Sequence, residues 1–323
     1  MKRIAITMGD PGGIGPEVVM KALPAVAGEC IPLVVGDRAV LETALRKFRI
    51  PLRIRKVEEG AQVFSSPGSL WCLETGVLGT FQQGRPDKEN AAACVRYIKK
   101  AVGLAMEKRV DAVVTAPISK EALTLAGFPW PGHTELLAEL TGTREYAMML
   151  IGGPLRVILV TIHTSLRSVP GLITKERVLS TIRLARRACD MLGLENPRIA
   201  VSGLNPHAGE SGILGTEERE EIAPAIEGAK EERIIAEGPF PPDVVFRKAY
   251  NGELDMVVCM YHDQGLIPLK MVAFDTGVNV TVGLPIIRTS PDHGTAYDIA
   301  WKGIADASSM REAIRMAVRL RLS

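Results

Sequence analysis

The stretch Asp255-Met-Val-Val-Cys-Met-Tyr-His262 places a histidine just past a short apolar run rich in β-branched residues. Such a run reads as a parallel strand buried on both faces. The same construction appears in Arg156-Val-Ile-Leu-Val-Thr-Ile-His163 and in Arg198-Ile-Ala-Val-Ser-Gly-Leu-Asn-Pro-His207, so three of the five histidines follow strand-like runs. In an open α/β sheet, ligands gather outside the carboxyl ends of the strands. Three imidazoles delivered to one rim form a candidate centre for a divalent metal, with positions left open for substrate. The competing reading is three unrelated surface histidines on three separate loops.

Outward from these runs, strand-like and helix-like spacing alternates along the chain. Residues 3–8, 31–36, 112–116, 156–162, 198–204, 255–261 and 278–284 read as strands. Residues 16–26, 38–48, 89–109, 174–192, 217–232 and 308–321 carry helical spacing. The alternation predicts an α/β fold with a largely parallel sheet. Thr174 marks one helix start, and the run Glu217–Glu221 reads as a solvated helix face. At 323 residues the chain is long for one core, which predicts two lobes. Turn-rich segments at Phe128–Gly132 and Phe274–Gly277 are where a lobe boundary would fall. We expect lobe one over 1–128 plus 277–323 and lobe two over 129–276.

Composition excludes several function classes. A net charge of +2 gives no basis for nucleic-acid or membrane-surface binding. The five cysteines are scattered, without a Cys-x-x-Cys pair, which argues against a disulfide framework or thiolate zinc site and points to a cytoplasmic setting. Met1–Asp10 has too short an apolar run for a signal peptide, and no later run reaches transmembrane length.

Four further segments could carry chemistry. Gly9-Asp-Pro-Gly-Gly-Ile-Gly-Pro-Glu17 lies between a strand and a helix. It lacks the Gly-x-Gly-x-x-Gly spacing of a dinucleotide fingerprint and reads best as a structural turn. Lys270, Asn279 and Arg288 fall nine residues apart around a strand, where a lysine, an amide and an arginine could clamp a phosphate or carboxylate. His133 and Thr134 open a helix, either as caps or as anion contacts. Asp292-His-Gly-Thr295 is a dense polar run in a glycine-containing loop, more typical of a ligand loop than of a plain connection.

Taken together the motifs resemble the 4-hydroxythreonine-4-phosphate dehydrogenase family of the vitamin B6 pathway. The matching stretches are Ile6–Glu17, Gly132-His-Thr-Glu135, Gly203-Leu-Asn-Pro-His-Ala-Gly-Glu210, Met260-Tyr-His-Asp-Gln-Gly265, Gly283–Ser290 and Asp292-His-Gly-Thr295, in family order over nearly the whole chain. The resemblance implies an isocitrate/isopropylmalate dehydrogenase-like fold of two α/β/α lobes with a cleft between them, acting as a homodimer with the active site at or near the interface. It implies His163, His207 and His262 as metal ligands, one of them supplied in some arrangements by the partner subunit. It implies substrate contacts from His133, Thr134, Lys270, Asn279 and Arg288, and a cofactor loop His293-Gly294-Thr295-Ala296 holding the adenosine part of NAD or NADP. Asp243 and Lys120 lie in family-like stretches and are the candidate proton acceptors, although Asp243 would serve equally as a cap for the helix after it. Trp301 departs from the pattern, standing where a small residue, usually glycine, is expected.

The implied chemistry is oxidation of 4-phosphooxy-L-threonine at C3, with the hydroxyl acidified by zinc, magnesium or cobalt and hydride passing to the nicotinamide. The β-keto acid then decarboxylates to 3-amino-2-oxopropyl phosphate, in pyridoxal 5'-phosphate biosynthesis. The near alternative is a paralogous dehydrogenase of threonate or erythronate 4-phosphate, which shares these motifs. More distant readings are a three-histidine metal hydrolase or lyase and a non-catalytic binding protein on the same fold.

Overall fold

A computed structural model of the chain describes all residues except 59, 62, 65–67 and 323. The strands are β1 (Arg3–Thr7), β2 (Ile31–Gly36), β3 (Arg53–Lys56), β4 (Ser69–Glu74), β5 (Ala112–Thr115), β6 (Ala147–Gly152), β7 (Leu155–Leu159), β8 (Ile199–Ser202), β9 (Ala236–Phe240), β10 (Met256–Cys259), β11 (Val278–Val282) and β12 (Arg288–Pro291). The helices are α1 (Gly15–Ala22), α2 (Arg38–Phe48), α3 (Lys88–Met106), α4 (Lys120–Leu125), α5 (His133–Thr141), α6 (Lys175–Met191), α7 (Ala223–Glu231), α8 (Pro242–Tyr250), α9 (His262–Ala273) and α10 (Ser308–Arg319). Two compact units result, Met1–Arg144 with Leu284–Arg319, and Glu145–Gly283 with Leu320–Ser323.

In the first unit the strand order is β3-β4-β2-β1-β5-β12, every pair parallel. Helix α3 packs on one face of β1, β2 and β5, and α10 packs on β12 and β5. The chain moves from β1 to β2 on one side and returns to β5 on the other. The carboxyl ends of β1 and β5 therefore flank a topological switch point, the place where open α/β sheets bind ligands. Helix α1 has Pro16 in its first turn, and its continuation Leu23–Val26 tightens to a 3-10 turn at Pro24.

In the second unit the order is β11-β6-β7-β10-β8-β9. Strands β7, β10, β8 and β9 are parallel, while β6 is antiparallel to both β7 and β11. The sheet is largely parallel, as expected, and β6 is the exception. Gly153-Pro154 joins β6 to β7 by a tight turn, so these neighbours form a hairpin instead of a crossover. Val157, Val257, Cys259 and Ala200 share a buried cluster with Val245 and Ala249 of α8 and Leu266 and Leu269 of α9. Helix α6 covers β8 and β10 and packs against α7. Thr174 caps α6 through its hydroxyl, which accepts from the Arg177 N–H at 3.3 Å.

Candidate functional site: an imidazole rim and a buried arginine

The register of β7, β10 and β8 determines where the three strand-following histidines arrive. Cys259 pairs with Leu159 and Val258 with Val201, so the three strands end at one level. His262 begins α9 three residues beyond β10, and His163 follows β7 by four. Their ring centroids lie 5.4 Å apart at 43°. Two imidazoles sharing a tetrahedral ion, with metal–nitrogen bonds of about 2.0–2.1 Å, have centroids roughly 5 Å apart, so this pair fits two positions of one coordination sphere. Asp263 Oδ1 lies 2.7 Å from His262 Nδ1, leaving Nε2 for an ion.

His207 is placed differently. It is exposed and opens a run of left-handed backbone from His207 (φ 51°) to Ser211. Among the described residues, no three His, Cys, Asp or Glu side chains are gathered as one ion requires. One chain therefore brings together two of the three expected ligands.

The loop bearing His207 is nonetheless firmly held. Glu218 is 5% exposed; its Oε1 accepts from the Leu204 and Asn205 N–H groups at 2.8 and 2.7 Å, and its Oε2 accepts from Asn205 Nδ2 at 2.9 Å. This corrects the expectation that Glu217–Glu221 is simply a solvated face. The helix starts with a π turn over Glu218–Ile222, within which Glu218 is buried. Gln264 ties the rim from inside, accepting from the Met260 N–H at 2.6 Å and donating to the Gly203 carbonyl at 2.7 Å.

The anion-binding candidates divide between the units. In the first, Arg288 on β12 is 2% exposed and donates to the Thr115 hydroxyl from Nε at 3.2 Å and from Nη2 at 2.7 Å. Burial pushes its guanidinium down to about 9, with Glu135 opposing. His133 opens α5, and its Nε2 is buried with no hydrogen-bond partner among the described residues. Burial first, and the Arg288 cation second, hold its ring well below the usual imidazole range, while a hydrogen bond with the Ala116 backbone opposes. A buried cation beside an unpartnered ring nitrogen is what an incoming phosphate or carboxylate would complete. Thr134 follows in the same helical turn, half-buried; neither it nor His133 is the cap, a position held by Gly132. Lys120 is exposed at the start of α4, and its Cε would lie 3.6 Å from a Cβ built on Gly132.

In the second unit, Asn279 on β11 has a buried Oδ1 with no hydrogen-bond partner among the described residues, and Lys270 near the end of α9 lies 5.7 Å over the Phe274 ring. Asp243 is exposed in the first turn of α8; the cap position there is Pro241, with no side-chain hydrogen bond.

The loop proposed for a dinucleotide follows β12. His293 Nδ1 lies 3.2 Å from the Gly294 carbonyl, Gly294 is exposed, Thr295 is buried, and Ala296 is left-handed at φ 41°. Trp301 has φ 61°, a left-handed conformation in which glycine is at ease. Its indole is buried beside Phe81 and Phe48, at centroid distances of 5.2 and 5.7 Å, and donates to the Pro11 carbonyl at 2.8 Å. Asp10 and Tyr297, to which the sequence assigned no role, are polar groups buried or half-buried in loops, and Glu218 is buried in the first turn of a helix. A lone polar residue in a loop gives no sequence signal of its burial.

Residues 28–317 match the family model described as pyridoxal phosphate biosynthetic protein PdxA. The chain is 51% identical to a 4-hydroxythreonine-4-phosphate dehydrogenase of Geobacter metallireducens, over 98% of this chain and 95% of the relative. It is 46% identical to a D-threonate 4-phosphate dehydrogenase of Cupriavidus necator, over 98% and 96%. The solved 4-hydroxythreonine-4-phosphate dehydrogenase of Klebsiella pneumoniae aligns with a TM-score of 0.90 at 44% identity, covering 98% of this chain and 97% of that one. A β-decarboxylating dehydrogenase of Thermococcus kodakarensis, at 18% identity and a TM-score of 0.54, shares the fold. Match and fold agree along nearly the whole length: this chain belongs to the PdxA family of pyridoxal phosphate biosynthetic proteins.

Proposed function

We propose that the chain oxidises 4-phosphooxy-L-threonine at C3 with NAD or NADP and a divalent metal, and that the product loses carbon dioxide to give 3-amino-2-oxopropyl phosphate. The observation that carries this reading is the imidazole pair His163–His262, 5.4 Å apart at the ends of neighbouring parallel strands. The dehydrogenases that the chain resembles supply the substrate class. When bound, the cation supplies Lewis-acid polarisation of the C3 hydroxyl and the nicotinamide supplies the hydride acceptor.

The chain's own residues do the rest. His163, His207 and His262 hold the cation, with zinc, magnesium and cobalt as the candidates and one imidazole coming from a second copy of the chain. Asp263 fixes which nitrogen His262 presents. Arg288, His133 and Thr134, with Lys270 and Asn279, bind the phosphate and carboxylate oxygens and so orient C3. Lys120 and Asp243 are the candidate acceptors of the hydroxyl proton. The loop His293–Ala296 carries the adenosine end of the dinucleotide. The homodimer is supported by the outer side of α9 and the turn after it, where Ile267, Met271, Val272 and Phe274 are 59%, 84%, 43% and 72% exposed.

A second reading, favoured by the Cupriavidus relative, is the same oxidation on D-threonate 4-phosphate. The two substrates differ at C2, amine against hydroxyl. Measuring kcat/KM for each with NAD and each metal decides between them. A ratio above about 100 for the amino acid supports the first reading, because losing a designed hydrogen bond costs specificity of that order or more. A ratio below one overturns it in favour of the second.

A further inference from the structure

We propose that Asp10 and Tyr297 form a clasp that positions the loop His293–Ala296 to receive the dinucleotide. This deepens the dehydrogenase reading and rests on it for the identity of the ligand. Asp10 belongs to the glycine-rich segment after β1 and is 0% exposed. Its N–H donates to the Pro117 carbonyl at 2.9 Å, which fixes it against the residues that follow β5. Oδ1 accepts from the Gly12 N–H at 2.8 Å, and Oδ2 accepts from the Tyr297 hydroxyl at 2.5 Å. Ser119, the cap of α4, also hydrogen-bonds Tyr297.

Two further bonds run from the same glycine-rich segment to the same region. The Ile14 N–H donates to the Thr295 carbonyl at 2.9 Å, and Trp301 Nε1 donates to the Pro11 carbonyl at 2.8 Å. The approach is close enough that a Cβ on Gly13 would lie 2.9 Å from the Thr295 Cβ. Three separate ties thus hold residues 295–301, and Asp10–Tyr297 is the one with a carboxylate acceptor. Hydrogen bonds to charged acceptors in buried surroundings are the stronger class. A loop already held in its binding shape spares the ordering cost that association otherwise carries. Burial raises the Asp10 carboxyl above the usual carboxylate range, and the bonds from the Tyr297 hydroxyl and the Gly12 N–H oppose that rise by favouring the charged acceptor. Asp10 and Tyr297 are positioning residues.

The test uses the full-length protein with Tyr297→Phe, which keeps the ring, and Asp10→Asn, which keeps an acceptor oxygen. Amide hydrogen exchange over residues 293–301 is measured without ligand, and NAD binding by titration. Tyr297→Phe is expected to speed exchange there and weaken NAD binding, each by roughly tenfold, the scale of one buried hydrogen bond to a charged group. Asp10→Asn should do less, because the hydroxyl keeps a partner. KM for NAD should rise in proportion while kcat at saturating NAD stays within about twofold and metal affinity is unmoved. Unchanged exchange, or faster exchange with unchanged NAD affinity while the parent binds NAD, overturns the clasp alone. A parent chain that binds neither NAD nor NADP overturns the dehydrogenase reading and the clasp with it.

Discussion

Replacing Arg288 by methionine separates what the residue costs the fold from what it does for binding. The side chain is 2% exposed, and burial pushes the guanidinium down to about 9, so the folded chain carries a cation it would rather not hold. At neutral pH the group stays charged, and it donates to the Thr115 hydroxyl. A buried ion carries a desolvation cost of several kcal/mol even after relaxation, and an apolar side chain of similar length removes that cost. The lost bonds to Thr115 offset roughly 1 kcal/mol of this. Arg288→Met should therefore leave the ligand-free protein as stable as the parent, or more stable by about 1–3 kcal/mol in urea denaturation. Binding should move the other way. Removing one partner of a desolvated charge pair costs about 2–5 kcal/mol, which is about 30-fold to several thousand-fold in affinity for the phosphorylated substrate. Inorganic phosphate should raise the melting temperature of the parent and not of the variant. Arg288→Lys, with charge but without the planar fork, should fall between. A variant destabilised by more than about 3 kcal/mol that still binds phosphate normally would refute this reasoning, making Arg288 a structural cation.

The remaining predictions concern pH, the metal and the rim. Folded His133 stays neutral well below the ordinary imidazole range, whereas in the unfolded chain it takes up a proton near pH 6.5. Below that pH the unfolded state binds more protons, so stability should fall as pH drops from about 6.5 towards the depressed folded value, by up to about 1.4 kcal/mol per pH unit. His133→Asn should flatten that slope in denaturation series between these pH values; an unchanged slope would place the titration elsewhere. Asp263→Asn, which weakens the contact orienting His262, should lower metal affinity by roughly 10- to 100-fold in a chelator competition titration. Glu218→Ala strips acceptors from the Leu204 and Asn205 N–H groups and should cost about 2–4 kcal/mol of stability, whereas an exposed neighbour such as Glu220→Ala should cost under about 0.5.

How far the fold was legible depended on whether one face or two of an element is buried. The runs around Val157, Val201 and Val258 are buried on both faces, so composition alone announced β7, β8 and β10. Strand β12 is equally buried, yet it reads Arg-Thr-Ser-Pro, and polar residues satisfied by Thr115 and by the Ala313 carbonyl leave no apolar signature. Strand β9 contains Gly238 and Pro239, which mark turns in a sequence, and it lies at the margin of the sheet where such residues are tolerated. Helix α9 begins at His262 itself and contains Pro268, which masked it. At the site, the level ends of neighbouring strands made the His163–His262 meeting readable. The displacement of His207 was not, because left-handed backbone from His207 to Ser211 leaves no periodic trace. Nor does any sequence pattern disclose that Arg288 is buried or that Asp10 reaches Tyr297 across 287 positions.

The most direct test follows NADH formation and carbon dioxide release together, from 4-phosphooxy-L-threonine and protein first stripped of metal and then reloaded with zinc, magnesium or cobalt. The stripped protein should show no turnover. Reloading should give NADH and carbon dioxide in equal amounts, and both should be lost in His262→Ala. Equal turnover with and without metal, or NADH formed without carbon dioxide, would contradict metal-dependent oxidative decarboxylation.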